Sequence, residues 1–262
     1  QTPSPSRRTL PRGPLAFVAA LLVALATAFG SGAVSLPASQ SASLDQASER
    51  RATYTQWDEG EYPEYYRVVG DAVVDLELEP EEVHYEGLDG LGRTGRVAAC
   101  VTLDMAREGS EREREDMSWI HPSGWGHNRE VDIVMPDGDT YHGSIFNRSH
   151  LLAKSLGGEE VPENMVTGTR TQNVGDNHGQ DGGMAYAEEI ARDWLWDHRD
   201  GTVYYSATPV YEGDELVCRS VIVDVRSSDG ALDLEVEVFN AASGYDIDYA
   251  TGEFSVAGGD QA

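Results

Sequence analysis

Phe146-Asn147-Arg148-Ser149-His150-Leu151-Leu152, followed by Asn164-Met165-Val166-Thr167-Gly168-Thr169-Arg170-Thr171-Gln172-Asn173-Val174-Gly175, is the stretch from which the rest of the chain can be read. A histidine closely preceded by an arginine, with two asparagines nine residues apart downstream, brings together a general base, a cation and neutral oxygen ligands for a hard metal. Arg148 precedes His150 by two, so an extended backbone turns both to one side.

The segments around this stretch read as strands. Val97 to Leu103, Val131 to Met135, Tyr141 to Phe146, Thr202 to Tyr211, Leu216 to Val225 and Leu232 to Phe239 are β-branched or aromatic runs bounded by Gly, Asp and Ser. Pro136-Asp137-Gly138-Asp139 supplies the dihedrals of a reversal, so residues 131 to 146 form a hairpin that leads to His150. Between Gly183 and His198, Met184, Ala187, Ile190, Ala191, Trp194 and Leu195 recur at helical spacing, and Gly201 stops that helix. A shorter helix is expected from Ser149 to Leu156, ended by Gly157-Gly158. The fold class is therefore α+β, a mainly antiparallel sheet with one longer helix, and the candidate site lies between a hairpin and a helix.

The 262 residues are enough for one sizeable domain with an N-terminal extension. Arg7, Arg8 and Arg12 precede an uncharged apolar run from Leu15 to Phe29 and then small residues, the pattern of a secretory signal over residues 1–35. An uncleaved signal anchor is the alternative. Residues 36–53 read as a linker, 54–80 as an extension whose packing the sequence leaves open, and 81–262 as the domain. Cys100 and Cys218, an even pair in a chain expected to be exported, read as one disulfide; two buried thiols are the other reading.

Acidic residues outnumber basic ones 46 to 19, for a net charge of −27. Binding of a polyanion through overall charge is thereby excluded, and such a ligand would need a local positive patch, a metal ion and short-range contacts. Arg93, Arg96, Arg129, Arg148, Lys154, Arg170 and Arg192 lie in or near the segments above and are the candidates for that patch. The acidity itself is read first as a device for solubility in an exported protein.

Taken together, these motifs resemble the DNA/RNA non-specific endonucleases of the ββα-metal (His-Me finger) group, particularly the secreted streptococcal-type DNases. The resemblance covers roughly residues 85 to 250. It runs from Tyr85-Glu86-Gly87-Leu88-Asp89-Gly90-Leu91-Gly92-Arg93 through Pro122-Ser123-Gly124-Trp125 and the site segments to Thr208-Pro209-Val210-Tyr211 and Ile247-Asp248-Tyr249-Ala250-Thr251-Gly252. In that family the signature is Asp-Arg-Gly-His or Asn-Arg-Ser-His, and Asn147-Arg148-Ser149-His150 is the second form.

The resemblance implies a divalent-metal-dependent, sequence-non-specific endonuclease acting on DNA and possibly RNA. It makes His150 the general base, Asn173 the metal-binding asparagine, with Mg2+ as the expected ion and other divalent cations open, and Glu188 a water-mediated metal partner; Glu189 is one residue away. Asn164 would support the site, and Asn147, standing where the other form has aspartate, has no assigned role. Arg148 would meet the scissile phosphate or act as a brace, and the brace is favoured. Arg170 and Arg192 are weaker candidates for phosphate. His121, His127 and His178 lie near the motifs, but no structural-zinc spacing joins them to cysteines, so zinc is not expected. Two rival readings are an inactive exported module that binds nucleic acid or a partner on the same scaffold, and a toxin nuclease restrained by an inhibitor protein.

Overall fold

The computed structural model describes residues 56–175 and 182–258. The expected signal peptide, the linker, the first two residues of the extension and His178 lie outside them.

Six strands form one antiparallel sheet: β1 (Tyr66–Gly70), β2 (Val83–Tyr85), β3 (Val97–Thr102), β8 (Thr202–Val210), β9 (Ser220–Ser227) and β10 (Asp233–Phe239), in the order β1-β10-β9-β8-β3-β2. Alternation decides which side each residue serves. Val97, Ala99 and Val101, with Val203, Tyr205 and Ala207, and Val221, Val223 and Val225, point to one face and are all fully buried. Helices α1 (Leu103–Glu111) and α3 (Met184–Asp197) cover that face with Leu103, Ala106, Met184, Ala187, Ala191 and Leu195. Each such aliphatic side chain contributes on the order of 1.5–3 kcal/mol when fully buried. The expected helix from Gly183 to His198 is thus α3.

The opposite face is polar. Asp224 and Glu235 are buried there beneath residues 72–75, where the Val73 amide donates to Asp224 (2.7 Å), the Ala72 amide to Asp233 (2.9 Å) and Arg96 to Asp75 (2.6 Å). Residues 56–66 also pack on the domain: Tyr65 is buried against Trp57, and its carbonyl accepts from the Phe239 amide.

Strands β4 (Glu130–Val134) and β5 (Thr140–Ser144) form the expected hairpin around Gly138, whose φ of 90° suits only glycine. It does not run on to His150. Phe146–His150 is a separate strand, β6, paired antiparallel with β7 (Met165–Thr169), so His150 stands opposite Met165. The helix expected from Ser149 to Leu156 is correspondingly absent: Ser149 and His150 belong to β6, and only Lys154–Leu156 turns, as a single 3-10 turn. The amides that a helix would have used are taken by Asn164, whose backbone carbonyl accepts from Leu151 and whose side-chain oxygen accepts from Leu152.

Cys100 and Cys218 are free, which overturns the expected disulfide. Cys100 pairs with Tyr204 on β8, whereas Cys218 lies before Ser220, which pairs with Val210. Six residues of strand separate the two levels, about 20 Å at roughly 3.3 Å per residue, whereas a bridge needs Cα atoms within about 7 Å. Cys218 is buried, and burial pushes its thiol up to about 12.

Candidate active site

Strand β6 hangs between two apolar anchors. Phe146 is buried in a small second core with Ile133, Met135, Ile145 and Phe254, and meets Phe254 edge-on at 5.8 Å. Leu151 and Leu152, just beyond the strand, are fully buried in the main core. The four residues between these anchors, Asn147 to His150, are held in register by β7 and have little freedom to shift. Gly168 opposite Asn147 makes this possible, since a Cβ there would collide with the Ser149 side chain and with Gln172.

One turn of helix, α2 (Arg170–Asn173), follows β7 and is capped by the Thr169 hydroxyl, which accepts from the Gln172 amide at 3.0 Å. That turn delivers Asn173 beside β6, where its Oδ1 accepts from the Ser149 hydroxyl at 3.1 Å. Helix α3 supplies Glu188 and, one turn later, Arg192. Asn147, Arg148, His150, Asn173, Glu188 and Arg192 all line one cleft of about 630 Å³. A larger cavity of about 870 Å³ opens beside the ends of β8 and β10, among Trp57, Tyr211, Phe239 and Tyr249. It contains none of Asn147, Arg148, His150, Asn173 or Glu188, so size does not locate the chemistry.

His150 carries a buried Nε2 with no hydrogen-bond partner. Burial, and then the charges of Arg114, Arg112 and Lys154, push its pKa down to about 4, so the ring is neutral at neutral pH and can accept a proton. Glu188 moves the other way: burial raises its carboxyl to about 7, against the opposing pull of Arg192. A carboxyl in that state gains most from a nearby cation. Glu189 instead turns toward Arg192 Nη2 at 3.9 Å and is 40% exposed, so of the adjacent pair Glu188 is the one that faces the cleft.

A metal would find few protein ligands here. Among the described residues no group of three or more His, Cys, Asp or Glu could hold one. What the cleft offers is the Asn173 amide oxygen and the Glu188 carboxyl, a hard, oxygen-only set that fits a divalent cation keeping most of its shell for water and phosphate oxygens. Asn147 adds a buried Nδ2 with no partner, a donor available to a ligand oxygen.

The remaining expected residues divide. Arg148 lines the cleft and bonds backbone rather than an acid: its Nε donates to the Ile120 carbonyl at 2.6 Å and its Nη2 to the Ser118 carbonyl at 3.1 Å, with the guanidinium 4.4 Å above the Trp125 ring. Asn164 is fully buried outside the cleft and clamps residues 152–159 through the Leu152 amide and the Leu152 and Glu159 carbonyls. Arg170 is not in the cleft, and its guanidinium lies over Tyr141. Arg192 is in it, with Nη1 at 3.3 Å from the Ser155 hydroxyl. Of the expected positive patch, Arg93 is paired with Asp89 and Arg96 with Asp75.

Arg112 and Arg114 were missed as site residues because they alternate with acids in Glu111-Arg112-Glu113-Arg114-Glu115-Asp116 and read as surface. Arg112 is held by the Gly158 carbonyl and Glu160, while Arg114 lines the cleft.

A family model described as DNA/RNA non-specific endonuclease matches residues 75–229. A deoxyribonuclease of Streptococcus dysgalactiae subsp. equisimilis is 32% identical over 242 residues, covering 74% of this chain and 73% of that protein. Among solved structures, the Sda1 nuclease with a bound zinc ion superposes with a TM-score of 0.73 at 34% identity, over 77% of this chain and all of that one. NucA from Streptococcus agalactiae with magnesium bound is similar in fold, with a TM-score of 0.57 at 23% identity over 71% of this chain and 83% of that one.

Proposed function

The chain belongs to the DNA/RNA non-specific endonuclease family, and from that premise we propose that it is a secreted endonuclease that hydrolyses DNA, and RNA as well, with His150 as general base and one divalent metal ion. The observation that carries the mechanism is the His150 imidazole: neutral, half-buried, without a partner at Nε2, and lining the same cleft as Asn173 and Glu188.

In this reading Nε2 takes the proton from the attacking water. Asn173 and Glu188 would hold the ion, which when bound supplies charge neutralisation for the phosphate. Ser149 orients the Asn173 amide, so its oxygen presents the same face to the cleft throughout. Asn147 Nδ2 donates to a phosphate oxygen. Arg114 and Arg192 provide the local positive field that the net charge of −27 withholds. Magnesium is the expected ion from this oxygen-only donor set; the zinc held by the Sda1 relative makes zinc the second ion to assay.

Purified protein should degrade plasmid DNA and RNA with magnesium present, and chelator should stop it. Intact plasmid and RNA with magnesium, manganese and zinc each supplied would contradict the reading.

A further inference from the structure

We propose that Trp119 is a base-stacking platform on the rim of the cleft, which grips an unpaired nucleobase of the substrate and makes the protein favour single-stranded over duplex nucleic acid. The inference rests on the nuclease reading above. Trp119 is 60% exposed, more than either of the other aromatic side chains near the cleft, and it is not on a loose loop. It occupies the tight turn Met117–Ile120, in which the Ile120 amide donates to the Met117 carbonyl at 2.9 Å. Asp116 caps the turn from one side through the Ser118 amide and hydroxyl, both at 2.8 Å, and Ile120 anchors it from the other at 1% exposure.

Arg148 completes the mount. Its two donors end on the carbonyls of Ser118 and Ile120, the residues immediately before and after Trp119. The guanidinium two residues from His150 therefore ties the backbone on either side of Trp119 to the strand that carries the base. Arg114, Met117 and Trp125 of the same loop line the cleft, and Trp119 lies between them in the chain, two residues after Met117.

An exposed indole on a braced turn has only two side-chain torsions to fix when it stacks, and every nucleobase has a face that can stack on it. Inside a duplex both faces are already covered by neighbouring pairs. An unpaired base has one to give, so the platform distinguishes strandedness without reading sequence.

The test is steady-state cleavage of a single-stranded oligonucleotide, the same sequence as a duplex, and a small aryl phosphodiester too short to reach the rim. Trp119→Ala should raise KM for the single strand about tenfold, with kcat and the duplex KM changed less than about twofold, and Trp119→Phe should restore most of the loss, as expected for sequence-tolerant stacking. The ratio of single-strand to aryl-diester cleavage should fall accordingly. A binding measurement stands independently of turnover: in His150→Ala, oligothymidylate should quench tryptophan fluorescence, and adding Trp119→Phe should remove most of that quench. Equal KM changes on both strand types, an unaltered single-strand KM, or a quench that survives Trp119→Phe would overturn the inference. Failure of the wild type to cleave any substrate while the quench behaves as stated would overturn the nuclease reading instead.

Discussion

At the scale of single residues, the site is built from groups whose neighbours decide what they can do. His150 and Glu188 are both pushed toward neutrality by burial, the imidazole to about 4 and the carboxyl to about 7; in the proposed mechanism the first takes a proton and the second supports a cation. Glu188→Gln should weaken divalent-metal binding by about 10- to 100-fold, the usual effect of losing a supporting group at a metal site, whereas Glu189→Gln should leave it within about twofold. Isothermal titration of each variant with magnesium checks this. Asn164 behaves differently because it serves the chain rather than the cleft. Asn164→Ala strands the Leu152 amide and carbonyl in the interior and frees the part-buried Glu159 carbonyl, and should cost about 3 kcal/mol of stability, read as a lower urea midpoint. In the sequence these two asparagines look alike. That Asn173 meets the cleft and Asn164 does not depends on a buried loop clamp that no local pattern reveals.

At the scale of elements, β6 is the strand on which the rest depends, and its rigidity comes from apolar residues at its ends rather than from its polar middle. Gly168→Ala should separate β6 from β7 and α2, because the added methyl meets Ser149 and Gln172; activity should fall at least tenfold and hydrogen exchange should quicken along β6. The strands of the main sheet were legible because their β-branched runs are long and bounded by turns, and α3 because its apolar stripe keeps helical spacing. The helix expected at Ser149–Leu156 was not there: its leucines and Gly157-Gly158 fit a helix, but strand pairing and Asn164 claim the amides first. The polar back of the sheet was equally hidden, since alternation marks Asp224 as outward but not that residues 72–75 bury it. Its carboxyl rises to about 7, chiefly through burial and then the nearby Glu235 and Asp75. A carboxyl raised in the folded state binds its proton more tightly there than when unfolded. Its stabilising contribution is complete below the ordinary carboxylate pKa and is lost as pH rises through about 7. The melting temperature of Asp224→Asn should therefore fall less than that of the parent between pH 5 and pH 8, by differential scanning calorimetry.

At the scale of the whole molecule, a protein with a net charge of −27 binds a polyanion only where a few arginines and a lysine outvote the total. The sequence pointed to seven basic residues for that purpose, but the fold commits Arg93 and Arg96 to acids and Arg170 to Tyr141, while Arg112 and Arg114, embedded among glutamates, turn their charge on His150. In the proposed mechanism one neutral histidine on β6, working with a divalent cation, turns this acidic fold into a nuclease. Its most direct test is timed digestion of supercoiled plasmid in magnesium by the parent and by His150→Ala, with the fold of each checked by circular dichroism. Chelator should abolish cleavage by the parent, and His150→Ala should cut at a rate at least about 100-fold lower, the lower end of what a general base contributes. A folded His150→Ala protein that cuts as fast as the parent would contradict the mechanism.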